Sequence, residues 1–240
     1  MQTPSDYDLS RALYAGKDKH PIDQSLALLQ AALPDQSLEA LAALTLEARD
    51  RLLLVLRERL FGPDMHVMVE CPECSETLEM VVPIAQLLDA PEPGADPTPL
   101  EVPGATLLLR LPTSADMAAL EASETENALL ALIDRCVVSA VGDDGAELTG
   151  LAPAMLQGVA LALQERMPLA NLTFELACPD CGHAWASGLE IPEFLWAEVD
   201  ADVRRVAVEV GVLAGAYGWS EEEILKMSKA RRARYLEQQD

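Results

Sequence analysis

Two matched cysteine pairs, Cys71-Pro-Glu-Cys74 and Cys178-Pro-Asp-Cys181, hold the residues best suited to chemistry in this sequence. Two residues between cysteines allow a tight turn to aim both thiolates at one ion about 2.3 Å away. Pro72 and Pro179 fix φ within the turns, and Gly182 after the second pair suits a left-handed backbone. Ser75 holds the matching place after the first pair, where a side chain is tolerated at some cost. Together the two turns offer four soft ligands, the tetrahedral set of a zinc ribbon holding one structural zinc ion. Residues 75–177 separate the pairs, far more than the usual ribbon spacing, so a helical insertion is expected between two knuckle hairpins.

Other chemistries fit this pattern less well. In thioredoxin-like redox proteins a CPxC motif follows a strand and opens a helix. Here both copies lead into alternating, strand-type sequence. Catalytic zinc needs an open coordination position, which four thiolates close. His183 could replace one thiolate, but it reads more plainly as a strand residue beside the metal. Cys136, beside Ile133 and Val137 on an apolar helix face, reads as core. His20 and His66 read as surface or turn residues. The sequence contains no nucleophile elbow, Walker-type loop, H-E-x-x-H or dinucleotide fingerprint. Gly211-x-x-x-Gly215 is expected to serve close helix packing. No residue is assigned a catalytic role, and the chain is not expected to be an enzyme.

The elements that must position the cysteines follow from periodicity and capping. Residues 1–20 are polar and weakly patterned and read as a flexible arm. Helices are expected over 22–61, broken near Thr45, which can cap LEARDRLLLVLRERLF. In that helix Leu52, Leu53, Leu56 and Leu60 would face the core, with Arg49, Arg57 and Glu58 towards solvent. The period then drops to two, giving a first zinc hairpin over 64–83. An acidic, Pro-rich linker covers 91–103, and 104–112 reads as another strand. A helical insertion is expected over 113–167. Ser114 would cap its first helix, and a Ser123/Glu126 capping box would open ENALLALIDRCVVSAV. The second zinc hairpin covers 170–191. Helices follow over 192–238, with Ser220/Glu223 as a capping box and Ser228 as a cap.

The fold class expected is α+β, mainly helical, with a small antiparallel zinc-ribbon-like layer made from the two knuckle hairpins. Residues 104–111 are a candidate to join that layer. Because the cysteine pairs must converge, residues 21–240 read as one intertwined domain.

Composition narrows the function classes. Half the residues are apolar but only 4% are aromatic, so the core must rest on Leu, Ala and Val. A net charge of −23 and a pI near 4.3 disfavour general binding to nucleic acid or anionic membranes. The start of the chain lacks a secretory pattern, and no stretch is apolar enough to span a bilayer, so a cytoplasmic setting with reduced thiols is expected. A zinc-ribbon adaptor for nucleic acid or a transcription complex is the alternative function. Against it, Glu70, Glu73, Glu76, Glu79, Asp180 and Glu190 surround the knuckles. Lys226, Lys229, Arg231, Arg232 and Arg234 gather near the C-terminus, either as a solvated helix face or as a dock for an acidic partner or a second copy. Trp196, Tyr217 and Trp219 are core anchors or part of such a face.

Three segments together carry a more specific resemblance: RDRLLLVLRERLFG leading into a strand and CPEC, LTFELACPDCGHAW, and AYGWSEEEILKMSKARRARYLE. From about residue 45 onward, the chain resembles the T-even-phage-type baseplate hub assembly chaperone family of contractile tails and contractile injection systems. The resemblance implies a part in building the baseplate hub, or in forming it. Partners would be hub, spike, wedge or tape-measure proteins, in the bacterial cytoplasm or in the assembled particle. It implies no catalytic residues, and the zinc reading rests on the cysteines alone.

Overall fold

A computed structural model describes residues 1–121 and 127–238. In chain order, α1 (Asp6–Gly16), α2 (Pro21–Ala32), α3 (Leu38–Ala42) and α4 (Leu46–Phe61) lead into a hairpin of β1 (Asp64–Glu70) and β2 (Thr77–Pro83). Then come α5 (Ile84–Leu88), β3 (Thr98–Val102), β4 (Ala105–Leu109), α6 (Ser114–Glu121), α7 (Ala128–Cys136), β5 (Val137–Gly142) and α8 (Pro153–Arg166). A second hairpin of β6 (Thr173–Ala177) and β7 (Ala184–Gly188) precedes α9 (Ile191–Tyr217), α10 (Glu221–Leu225) and α11 (Lys229–Leu236). The class is α+β, as expected.

These elements form two compact units, one of residues 1–41 with 192–240 and the other of residues 42–191. One intertwined domain had been expected over 21–240. Both cysteine pairs fall in the second unit.

In the first unit, residues 6–16 are helical where a flexible arm was expected. Ser5 and Asp8 form a reciprocal capping box, and Leu9, Ala12 and Leu13 are buried. α2 begins at Pro21, with the His20 ring accepting a hydrogen bond from the Ile22 N–H. Trp196 on α9 lies against Gly16, so close that a Cβ there would meet its ring at 2.6 Å. The fully buried Arg232 side chain donates to Asp6, Glu209 and the Met227 carbonyl, tying α1, α9 and α11. Lys226 pairs with Glu222 and Lys229 with Asp202, so the basic cluster is partly spent inside its own unit. Tyr217, Trp219 and Tyr235 form a half-buried ring cluster with centroids 4.5–5.5 Å apart. The expected Ser220/Glu223 capping box and Ser228 cap are present. Gly211 and Gly215 are exposed, and an added Cβ at either meets nothing within 4 Å, so the expected close packing is absent among the described residues.

In the second unit, α4 starts as expected with Thr45 accepting from the Ala48 N–H. Arg49 and Arg57, expected at the surface, are buried instead. Arg49 pairs with Asp50 at 2.7 Å, and Arg57 donates to the carbonyls of Gly62 and Asp64. Arg49 is matched by its sequence neighbour Asp50 and by the Ser114 hydroxyl, and Arg57 by carbonyls beyond the end of its helix, so neither buried cation lacks acceptors.

Among the described residues the β-structure consists of three separate antiparallel sheets, β1-β2, β3-β4-β5 and β6-β7. Residues 104–111 do not join the knuckle hairpins; β4 is the centre of its own sheet. Its edge strand β3 lies within the expected linker, with Pro99 tolerated because an edge strand can spare a donor. The other edge, β5, occupies VVSAVG, where continuation of a helix was expected. α7 stops at Cys136, and the β-branched Val137, Val138 and Val141 favour the extended strand. Ala105, Leu107, Leu109, Ala140, Ile133, Val159 and Leu163 form the buried cluster between this sheet and α7 and α8. Cys136 lies in it, as expected.

At α6 the cap is Thr113, not Ser114: Thr113 Oγ1 accepts from the Asp116 N–H, and Asp116 accepts in return from the Thr113 N–H and hydroxyl. Ser114 is buried beside Arg49. The Ser123/Glu126 capping box lies outside the described residues. α7 is capped by Asn127, whose side chain accepts from the Leu130 N–H.

Candidate metal centre

Each knuckle is a hairpin end folded back on its first cysteine. In the first, the Cys71 N–H donates to the Glu76 carbonyl at 2.9 Å, and the Ser75 N–H donates to the Cys71 carbonyl at 2.9 Å. The second repeats the pattern from Cys178 N–H to the His183 carbonyl at 2.8 Å, and from Gly182 N–H to the Cys178 carbonyl at 3.0 Å. Both turns need a left-handed residue after the second cysteine, and both have one: Ser75 at φ 60° and Gly182 at φ 74°. Strand pairing continues from these turns, Glu70 opposite Thr77 and Ala177 opposite Ala184.

The turns bring all four cysteines together. Their sulfurs lie within 4.8 Å of one another. Across the hairpins, Cys71 Sγ is 3.7 Å from Cys181 Sγ, and Cys74 Sγ is 3.6 Å from Cys178 Sγ. A tetrahedron with bonds of about 2.3 Å has edges of about 3.8 Å, so the group has the dimensions of a four-thiolate metal site. Cys71 and Cys178 are buried, while Cys74 and Cys181 are exposed, so the centre sits at the rim of the unit. The backbone N–H groups of Cys181 and Asp180, with the neighbouring Cys74, bring the Cys178 thiol down to about 7. At Cys74 the Glu76 N–H favours the thiolate, but desolvation and the other three thiols outweigh it and push the group up to about 12. Four thiols in one place cannot all ionise without a counter-charge, and a divalent cation supplies one.

The expected ligand set is therefore the set brought together, and it could hold one metal ion. His183 is not in it; its ring stacks on Trp185 with centroids 5.9 Å apart. His66 pairs across the first hairpin with Glu79 at 2.9 Å, away from the sulfurs in register.

One family model, described as T4 bacteriophage base plate protein, matches residues 8–195. The chain belongs to this family. No curated protein and no solved structure matches it. The match spans both knuckles and every strand of this base-plate chain, and stops within α9.

Charged residues missed by sequence reasoning surround the N-terminus of α4 in this base-plate protein. Glu47 is fully buried, and its carboxylate accepts from the N–H groups of Leu169 and Ala170, just before the second hairpin. Desolvation raises its pKa, with those two N–H groups and Arg51 acting against the rise. Arg51 donates to the carbonyls of Leu88 and Ala90. Asp116 receives two hydrogen bonds from Arg110, at 2.7 and 2.8 Å, and Arg110 holds its carboxyl well below the usual carboxylate range. The Thr113-x-x-Asp116 spacing carried a signal for that cap; nothing local in the sequence marked Glu47.

Proposed function

We propose that this chain is a non-enzymatic, zinc-stabilised part of the base plate of a contractile phage tail or injection system, acting at its hub as an assembly chaperone or a retained component. The observation that carries this reading is the four-cysteine group in a member of a base-plate family: it brings together two hairpins that residues 84–172 separate in sequence. Four thiolates leave no coordination position for a substrate, which favours a structural ion, and zinc is the usual occupant of such a set.

The role of the ion follows from how little the second hairpin buries. Strands β6 and β7 alternate half-buried and exposed residues and contain no fully buried one. A two-stranded hairpin with so little apolar cover is marginal in water. Metal bonds to Cys178 and Cys181 would fasten it to the first hairpin, which buries Met65, Val67 and Val82. The exposed face of the knuckles is acidic, which argues against the nucleic-acid adaptor and suits protein partners: hub, spike, wedge or tape-measure components, met in the bacterial cytoplasm during assembly.

The test is quantitative mass spectrometry of finished particles, with zinc content measured on the purified chain. A fixed ratio to the hub protein means a retained component. Absence from particles, with hub-bound protein in the lysate, means a chaperone that leaves. Association with no base-plate protein in either fraction would overturn the proposal.

A further inference from the structure

We infer that the four-cysteine centre has a second, covalent state in which two disulfides, Cys71–Cys181 and Cys74–Cys178, replace the metal ion and still join the hairpins. This rests on the reading that the reduced centre holds zinc, and it concerns the chemistry open to the same four sulfurs once an oxidant reaches them.

The cross-hairpin contacts carry the inference. At 3.7 Å for Cys71 and Cys181 and 3.6 Å for Cys74 and Cys178, each pair is within a short approach of the roughly 2.05 Å of a disulfide. Each pair also combines one exposed cysteine with one buried cysteine of the other hairpin. The exposed sulfur is the one a solute reaches, and the buried sulfur across the seam is placed to resolve it. Both turns are held by backbone hydrogen bonds from Ser75 and Gly182, so closure asks for side-chain movement and leaves the hairpin ends intact.

With hydrogen peroxide as oxidant the chemistry balances. The exposed thiolate attacks one peroxide oxygen, the O–O bond breaks, hydroxide leaves, and a sulfenic acid forms. The thiolate across the seam then attacks that sulfur, forming the S–S bond and expelling a second hydroxide. Each pair gives up two electrons to one peroxide. Two peroxides therefore convert four thiolates and one zinc ion into two disulfides, a free zinc ion and four hydroxides. Bonds within a knuckle, Cys71–Cys74 and Cys178–Cys181, would uncouple the hairpins; the cross-hairpin pairing keeps them coupled. A centre of this kind stays fastened both in reducing cytosol and in the oxidising surroundings of a released particle.

The experiment uses the full chain carrying Cys136→Ser, in a zinc-loaded arm and a metal-free, reduced arm. Each is treated with hydrogen peroxide and digested without reduction for mass spectrometry. Metal content before treatment tests the zinc reading separately; if no zinc is bound, the metal-free arm alone decides the pairing. The expected result is release of all bound zinc, peptides linked 71–181 and 74–178, and a mass lower by four hydrogens. A second variant, Cys74→Ser, should still form the Cys71–Cys181 bond. Bonds within the knuckles, bonds between molecules, or oxidation to sulfinic acid without any disulfide would overturn the inference.

Discussion

The three-stranded sheet and the second knuckle hairpin lie in one unit but hold their shape by different means. In β4, Ala105, Leu107 and Leu109 are buried and pack with residues of α7 and α8. In β6 and β7 no side chain is fully buried, and the buried residue of that hairpin end is Cys178 itself. The sheet can rest on apolar burial, whereas the hairpin has little of it. On the proposed reading, the same antiparallel ladder would be stabilised by solvent exclusion in one place and by soft-ligand coordination in the other.

The largest way to break this contrast is to take the metal away. Chelation, or Cys178→Ser, should strip amide protection from residues 173–188 while 105–109 stays protected, as hydrogen exchange would report. Structural zinc contributes on the order of 10 kcal/mol in comparable sites, so the loss should be near complete. Equal loss across the sheet would show that the two parts do not differ in this way. The converse is Leu107→Ala, which should cost about 2–5 kcal/mol in denaturant unfolding and leave zinc stoichiometry unchanged.

A smaller effect should come from Asp116, where Arg110 and the Thr113 cap favour the carboxylate. Asp116→Asn should cost about 2 kcal/mol. Because the folded-state pKa is depressed, this stabilisation is fully present above the ordinary carboxylate range, near pH 4, and is lost as pH falls through the lower folded value. Between pH 5 and 7 the difference in stability between wild type and D116N should therefore be flat. A difference that changes across that window would mean another group is responsible. The smallest effects separate the two knuckles. Ser75→Gly should stabilise by about 1 kcal/mol, and Gly182→Ala should destabilise by a similar amount, since both positions are left-handed. Thermal unfolding of the zinc-loaded protein would show whether the signs oppose.

The same contrast explains what could be read from sequence. The four-cysteine cluster was legible because a CPxC turn specifies its geometry within a few residues, down to the left-handed position after each pair. The caps at Thr45, Ser220 and Ser228 were legible for the same reason. What failed lay mostly beyond the local helix. Arg49 and Arg57 looked solvent-facing on a helical wheel, yet both are buried, with Ser114 and the carbonyls of Gly62 and Asp64 among their acceptors. Glu47 meets its partners at Leu169 and Ala170, more than a hundred positions away. VVSAVG follows a helix without a Gly or Pro break, so only its β-branched residues signalled the strand. α1 was missed because its apolar face is short, although Ser5 and Asp8 already spelled its capping box.

The first unit is assembled from segments 1–41 and 192–240, while residues 42–191 form the second without interruption. A ribosome delivers these in order. The interrupted unit must wait, its leading helices already made, until α11 emerges and Arg232 can reach Asp6 and Glu209. The inserted unit can close while translation is still under way. Force profiling with an arrest peptide should register two separate folding events, the metal-binding one first. The apolar sides of α1 and α2 would remain uncovered in the interval, making this the stretch of synthesis most exposed to a passing chaperone or protease.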